Sequence, residues 1–214
     1  MKTKPIITHL FLDIGGVLLT NGWDRHARKR AAAHFQLEWS ELEDRHHLIF
    51  EIYETGKCTL KEYLNLVVFY KKRSFTPAQF RRFMFTQSKP YPAMIELIRH
   101  LKSRYGLKIV VVSNEALELT MHRIRKFKLD SFVDTFISSC FVHMRKPDVN
   151  IFRLALDVSQ VQPGQVLYIE NTQMFVQIAE GLGIQSILHK DYESTCTALT
   201  SFGLQEEGAF HDIS

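Results

Sequence analysis

The run Ile6-Ile7-Thr8-His9-Leu10-Phe11-Leu12 is apolar, partly β-branched and short enough for a buried strand, and it stops on a carboxylate, Asp13, followed by Gly15-Gly16. Runs of this length bounded by turn residues read as strands. Similar segments recur at Leu107 to Val112, Val166 to Ile169 and Gln185 to Leu188, and one around Thr135 to Ser139 makes five. Helical patterns lie between them, at Pro92 to Tyr105, Leu117 to Phe127, Pro147 to Asp157 and Phe175 to Leu182. Strands alternating with helices predict a parallel sheet covered on both faces, an α/β fold.

From about Thr20 to Lys89 no convincing strand occurs and helix signals repeat. Ser40 to Glu43, Thr59 to Glu62 and Thr76 to Gln79 each read as capping boxes, the last with Pro77 at the first helical position. Leu60, Tyr63, Leu64, Val67 and Val68 fall at the spacing of one buried helical face. The expected division is an α/β core from residues 1–19 and 90–214, with a helical insertion at 20–89 after the first strand.

Composition narrows the class. With 214 residues, 45% hydrophobic, the chain has material for a real core of one to two domains. No apolar run approaches the roughly 20 residues that cross a bilayer, and Met1-Lys2-Thr3-Lys4 opens no signal-peptide layout, so a soluble, cytoplasmic protein is expected. Cys58, Cys140 and Cys196 are odd in number and widely spaced, which fits neither a disulfide framework nor structural zinc. The net charge of +4 comes from small basic clusters such as Lys71-Lys72-Arg73, which read as solvated helix faces rather than a nucleic-acid surface.

In an open parallel sheet, ligands bind beyond the C-terminal ends of the strands, so the polar residues there are the candidates. Asp13 is either a strand-ending turn residue or a functional carboxylate whose glycines let backbone N–H groups approach an anion. Ser113-Asn114 offer a hydroxyl and an amide where a helix is expected to begin, as a phosphate cradle or simply an N-cap. Lys146 precedes Pro147 and is expected at a helix N-terminus, where the positive potential calls for a nearby anion or for solvent. Glu170-Asn171 form an oxygen pair suited to Mg²⁺, with Asp13 and the Gly15 carbonyl as further ligands.

All four elements occur at successive strand ends, and in that order the chain resembles the haloacid dehalogenase superfamily. Phe11-Leu12-Asp13-Ile14-Gly15-Gly16-Val17-Leu18 resembles its first motif, Val111-Val112-Ser113-Asn114 the second, Arg145-Lys146-Pro147-Asp148 with Ile151-Phe152 the third, and Val166 through Gly183 the fourth. The resemblance implies a Rossmann-like parallel sheet core with a type-1 all-helical cap inserted after strand one. It implies a Mg²⁺-dependent hydrolase in which Asp13 attacks phosphorus of a small phosphorylated metabolite to form an aspartyl-phosphate. Asp13, Gly15, Glu170 and Asn171 would hold Mg²⁺, while Ser113, Asn114 and Gly16 would hold the phosphoryl group. Lys146 would offset the accumulating negative charge.

Two departures qualify that expectation. Phosphatases of the superfamily usually carry a second Asp two residues after the nucleophile, as the acid that protonates the leaving group, and here that position is Gly15. Subgroups with Asp-x-Gly include sugar-phosphate phosphatases, and His26, His46 or His47 of the cap are candidate replacement acids. In the fourth motif the neutral Asn171 replaces a charged ligand, which lowers metal affinity. A phosphate-binding protein without turnover is the alternative, and a 2-haloacid dehalogenase is a further one that glycine at 15 and Glu170 disfavour. Asn21, Trp23, Arg25 and His26 are the cap residues expected near the entrance, with Arg28, His143 and Arg145 in reach of a substrate.

Overall fold

The computed structural model describes residues 6–205, so the readings on Met1 to Lys4 and on residues 206–214 lie outside the described residues. In chain order the elements are β1 (His9–Leu12), helices α1 (Arg25–His34), α2 (Trp39–Glu54), α3 (Leu60–Val67), α4 (Pro77–Thr86) and α5 (Pro92–Tyr105), then β2 (Lys108–Ser113) and α6 (Leu117–Phe127). There follow β3 (Thr135–Ser138), α7 (Ser139–Val142), α8 (Asn150–Ser159), β4 (Val166–Glu170), α9 (Gln173–Gly181), β5 (Gln185–Leu188) and α10 (Tyr192–Thr200).

The five strands form one parallel sheet in the order β3-β2-β1-β4-β5. β1 is central because both its faces must be covered: Leu10 and Leu12 point into one apolar layer and Phe11 into the other, all fully buried. Side chains alternate along a strand, so β2 and β4 divide in the same way. Ile109, Val111, Leu167 and Ile169 pack against α5 and α10 through Leu97, Ile98, Leu101 and Leu199. Val110, Val112, Val166 and Tyr168 pack against Ile151, Phe152 and Ala155 of α8 and Ala179 of α9.

Helix ends follow local chemistry. α5 stops where Gly106 turns left-handed at φ 65°. Thr59 and Thr76 close complete capping boxes with Glu62 and Gln79. Ser40 does not cap α2: the carboxylate of Glu38 accepts the Glu41 N–H instead, so the helix starts earlier than expected. The helix expected from Pro147 begins only at Asn150, because Lys146-Pro147-Asp148 form a turn closed by the Asp148 N–H donating to Arg145 O at 2.9 Å.

Helices α1 to α4 build their own apolar cluster around Leu42, Tyr53, Tyr63, Leu64, Phe80 and Met84. The two connections to the sheet run side by side, with the Thr20 N–H donating to Lys89 O at 2.8 Å and the Thr20 hydroxyl to Gln87 O at 2.8 Å. Arg123 of α6, fully buried, clamps both: it donates to Ser88 Oγ at 2.9 Å, to Thr20 O and to Glu115 Oε1. A second contact lies at the end of α2, where Ser139 Oγ donates to Glu54 O at 2.6 Å and the His143 ring meets Thr55 O at 2.7 Å. Gly56 follows at φ 69°, and a Cβ there would lie 2.4 Å from Cys140 O. No helix among the described residues is long and apolar enough to cross a membrane, and Cys58, Cys140 and Cys196 form no disulfide among the described residues.

Gly56→Ala should therefore loosen the contact between α2 and the sheet domain. The left-handed backbone alone costs a non-glycine residue about 1–2 kcal/mol, and the carbonyl clash adds to it. A thermal or urea unfolding curve unchanged from wild type would show that this contact carries no stability.

Candidate active site

Three parallel strands end side by side, and their last residues make the floor of the site. Asp13 leaves β1 with its N–H still donating to Ile169 O of β4 at 3.1 Å, so sheet pairing fixes its backbone. Ser113, the last residue of β2, lies beside the Asp13 carboxylate, and its side chain helps draw that carboxyl's pKa down. Glu170 ends β4 with its side chain fully buried. Two buried carboxylates so placed repel each other and lose their hydration, an arrangement that needs a cation.

Lys146 supplies it. Its ammonium, on a residue only 1% exposed, donates to Glu170 Oε2 at 2.6 Å, Tyr168 OH at 3.0 Å and Asp13 Oδ1 at 3.1 Å. Tyr168 in turn donates to Glu170 Oε2, and the Thr172 N–H donates to Glu170 Oε1 at 2.9 Å. The Lys146 backbone is held by the Asn114 side chain in both directions, its N–H reaching Oδ1 at 2.8 Å and its carbonyl accepting from Nδ2 at 2.7 Å.

This geometry corrects several expectations. Lys146 does not stand at a helix N-terminus, since α8 begins four residues later, and its buried anions satisfy it instead. Asn114 is not at the start of α6, which opens at Leu117, and its amide is spent on the Lys146 peptide rather than offered to a phosphate. Gly16 does not present its N–H to an anion, because that group donates to Leu19 O at 2.6 Å. Its role is steric: at φ 78°, any Cβ would strike the Asn171 side chain at 2.1 Å.

The electrostatics follow from burial and from the shared ammonium. Desolvation raises the Asp13 carboxyl above its ordinary range, Lys146 pulls it back, and the Glu170 charge pushes it further up. For Lys146 desolvation works to lower the pKa, but Asp13 and Glu170 outweigh it and hold the ammonium protonated above its usual range. Tyr168 is driven well above the phenol range by burial and by the neighbouring carboxylates, so it stays a donor.

For a metal, the donor set is mixed. Among the described residues no three His, Cys, Asp or Glu side chains gather as a ligand group. The Asn171 amide does lie against two acceptors, Glu170 Oε1 at 2.9 Å and Gly15 O at 3.2 Å. With nitrogen facing them the amide donates to both; with oxygen facing them three oxygens converge beside Asp13, the chemistry a hard divalent cation satisfies. The residues present thus fit Mg²⁺ through Asp13, Gly15 O, Asn171 and Oε1 of Glu170, whose other oxygen, Oε2, is committed to Lys146 and Tyr168.

Above this floor lies a cavity of about 250 Å³. Asn21 and Trp23 line it, as do Arg145 and His46, whereas Arg25, His26, Arg28 and His47 do not. Arg25 is two-thirds exposed beside Glu43, and Arg28 is turned away into a two-pronged bond to Glu43, so neither faces a substrate. His46 bonds Tyr63 OH, and burial pushes its pKa down to about 3, so it is neutral and no acid near pH 7. His143 packs on Thr55 O. The cavity also brings in residues the sequence reading passed over: Tyr53, Glu54, Glu115, Arg123 and Phe175. Arg123 sits on Glu115 and Arg145 on Glu54, so each guanidinium already has a carboxyl partner.

The model of the haloacid dehalogenase-like hydrolases matches residues 7–183. The chain belongs to that family. A bifunctional epoxide hydrolase 2 of Sus scrofa is 27% identical over 51% of the chain and 20% of its own length. A phosphorylated carbohydrates phosphatase of Thermotoga maritima is 26% identical over 46% of the chain and 45% of its own length. The chain thus spans less than half of either curated relative. The fold is shared with a family enzyme of Bacteroides thetaiotaomicron solved with magnesium and inorganic phosphate, at 20% identity and TM-score 0.73, over 88% of this chain and 98% of that one.

Replacing Lys146 by Met should cost about 3–5 kcal/mol, the usual penalty for leaving a buried charge without its partner. With the ammonium gone, the Asp13 carboxyl takes a folded-state pKa further above its unfolded value. Such a group contributes stability below the unfolded pKa and loses it as the pH rises. The deficit against wild type should therefore be largest at neutral and alkaline pH and shrink toward the ordinary carboxylate range. Chemical denaturation at a series of pH values reads this directly, and a deficit independent of pH would contradict the assigned charge pairing.

Proposed function

We propose that this family member is a Mg²⁺-dependent phosphohydrolase of small phosphorylated metabolites, with Asp13 as the nucleophile. The observation that carries the reading is the buried ammonium of Lys146 shared between Asp13 and Glu170 at 3.1 and 2.6 Å, on the floor of a cavity sized for a small molecule. A carboxylate so held is fixed in one orientation by a positive charge, which also lessens its repulsion of an incoming phosphoryl dianion.

In the reaction an Asp13 oxygen attacks phosphorus, the bond to the leaving oxygen breaks, and water then hydrolyses the aspartyl-phosphate. Lys146 orients the nucleophile through its hydrogen bond to it, with Ser113 beside the same carboxylate. Mg²⁺ held by Asp13, Gly15 O, Asn171 and Oε1 of Glu170 would supply charge neutralisation for the phosphoryl oxygens. Helices α1 to α4, within residues 20–89, act in this reading as the cap: Asn21, Trp23, Asp24, Tyr53 and Glu54 give the cavity its outer wall.

The wall also bears on substrate class. Its cations Arg123, Arg145 and Lys146 each sit on carboxylates, and its polar groups Asn21, Asp24 and Glu54 are largely acceptors. A neutral, hydroxyl-bearing leaving group suits it better than a second anionic group, which agrees with the carbohydrate-phosphate activity of the Thermotoga relative. The same feature disfavours a 2-haloacid, whose carboxylate would meet no unpaired cation. Three widely spaced cysteines without a disulfide among the described residues agree with a reducing cytoplasm as the setting.

A panel of sugar, polyol, aryl and acyl phosphates, assayed with and without Mg²⁺, tests the reading against Asp13→Asn. Mg²⁺-dependent release of phosphate by wild type and its loss by at least about 10³-fold in the variant are expected, since an amide of equal size is no nucleophile. Phosphate binding without turnover of any ester would leave a binding protein. Turnover of a 2-haloacid in chelator would make it a dehalogenase.

A further inference from the structure

Position 15, where a leaving-group acid would follow the nucleophile, is glycine, and a Cβ built there lies 3.0 Å from Asn21 Oδ1 and 3.8 Å from Asp13 Oδ2. The proton must come from another wall of the cavity. The remaining titratable groups that line it, besides Asp13, Lys146 and Glu170, are Asp24, His46, Tyr53, Glu54 and Glu115. Asp24 is engaged as the N-cap of α1, its Oδ1 accepting the Ala27 N–H at 2.7 Å. His46 is neutral, for the reason given above. Burial drives the Tyr53 hydroxyl well above the phenol range, so it cannot return as a base. Glu115 has Oε1 on Arg123 and an Oε2 that is sealed from solvent without a partner.

Glu54 differs from all of these. Both contacts from Arg145, Nε at 3.0 Å and Nη2 at 2.9 Å, fall on the same oxygen, Oε2. Its Oε1 accepts no hydrogen bond from the described residues and is not among the sealed atoms, and the side chain keeps 28% of its exposure where it lines the cavity. The backbone is fixed by the Ser139 hydroxyl on Glu54 O, so α2 holds this carboxyl in the wall of the cavity that Asp13 also lines.

We infer that Glu54, delivered by the helical insertion, is the general acid and base of the reaction, with Oε1 as the atom that exchanges the proton. The inference rests on the phosphohydrolase reading. In the first step the Asp13–phosphorus bond forms, the phosphorus–oxygen ester bond breaks, and the Glu54 proton passes to the departing alkoxide to give a neutral alcohol. In the second step the Glu54 carboxylate takes a proton from water as that water attacks the aspartyl-phosphate, which restores both carboxyls and releases phosphate. Desolvation raises the Glu54 carboxyl above its ordinary range, while Arg145, Arg28 and Lys146 draw it back. Glu115, whose own carboxyl burial raises to about 7, faces it.

The test is Glu54→Gln, which keeps the size of the side chain and an acceptor for Arg145, compared with wild type on an alkyl phosphate and on p-nitrophenyl phosphate in a stopped-flow instrument. Loss of the acid should slow the alkyl ester by about 10²- to 10⁴-fold. The aryl ester, whose leaving group needs no proton, should still give a burst of nitrophenol followed by a slow steady state, with phosphate trapped on Asp13. Equal losses on both esters without a burst would make Glu54 a structural residue. Full alkyl activity in this variant, or a leaving-group-selective loss in Glu115→Gln instead, would move the acid elsewhere. Wild type that turns over neither ester would refute the phosphohydrolase reading, and the acid with it, whereas a failure confined to Glu54→Gln would leave that reading standing.

Discussion

A lysine ammonium with almost no exposure is tolerable only where its charge and its donors are satisfied, and the site is organised around meeting that condition for Lys146. Its anions come from the ends of two different strands, β1 and β4, and its peptide is held by Asn114 just past the end of β2. Three adjacent strands must therefore end in register for the ammonium to be buried at all. The parallel pairing of Leu12 with Val111 and with Ile169 provides that register. Removing any one anion would leave the other charges stranded in an environment without water to screen them. Such a network adds little net stability compared with an apolar core, but it fixes one arrangement of the strand ends, as pre-organised electrostatics require.

The same logic extends outward. Arg123 and Arg145, the other two cations of the cavity, each meet a carboxylate and each join the sheet domain to the helical insertion. Arg123 does so through Thr20 and Ser88 on the connecting segments, and Arg145 through Glu54 at the end of α2. Pairing them serves two ends at once. It positions the insertion over the floor, and it withdraws positive charge from the cavity wall, leaving acceptors to face whatever enters.

Much of this was legible in the sequence because it is local. The bounds of α5 and α6 follow from apolar periodicity, and the strands follow from short β-branched runs whose length hydrophobic burial dictates. Asp13, Lys146 and Glu170 could be proposed together because topology alone brings strand ends to one edge. What could not be read were partners distant in the chain. Arg123 sits among Met121-His122-Arg123-Ile124-Arg125-Lys126, where it looks like one more solvated cation. The signal was present: Leu119, Arg123 and Ile124 share one helical face, and a charge on a buried face demands an anion. Glu54 gave no such sign, since the end of an amphipathic helix is an ordinary place for a glutamate. Ser40 misled because an acidic side chain two residues earlier reached the same backbone donors.

Position 171 shows how a single neutral side chain bears on the charge of the whole floor. Asp13 and Glu170 bring two negative charges and Lys146 one positive, so the floor carries one net negative charge before any ligand arrives. A phosphoryl dianion would add two more within a few ångströms of Asp13, in a setting where Coulomb terms are weakly screened. A second acidic residue at 171 would deepen that excess and bind a divalent cation strongly. Asn171 offers an amide that reaches Gly15 O and Glu170 Oε1 and can satisfy itself by turning its nitrogen toward them. In the proposed phosphohydrolase, cation and dianion would thereby be coupled: the charge that makes Mg²⁺ worth binding would arrive mainly with the phosphate, so metal affinity should rise when the anion is present rather than stand high beforehand. Gly16 is part of the same arrangement, because only a residue without Cβ leaves the Asn171 side chain the space in which to sit.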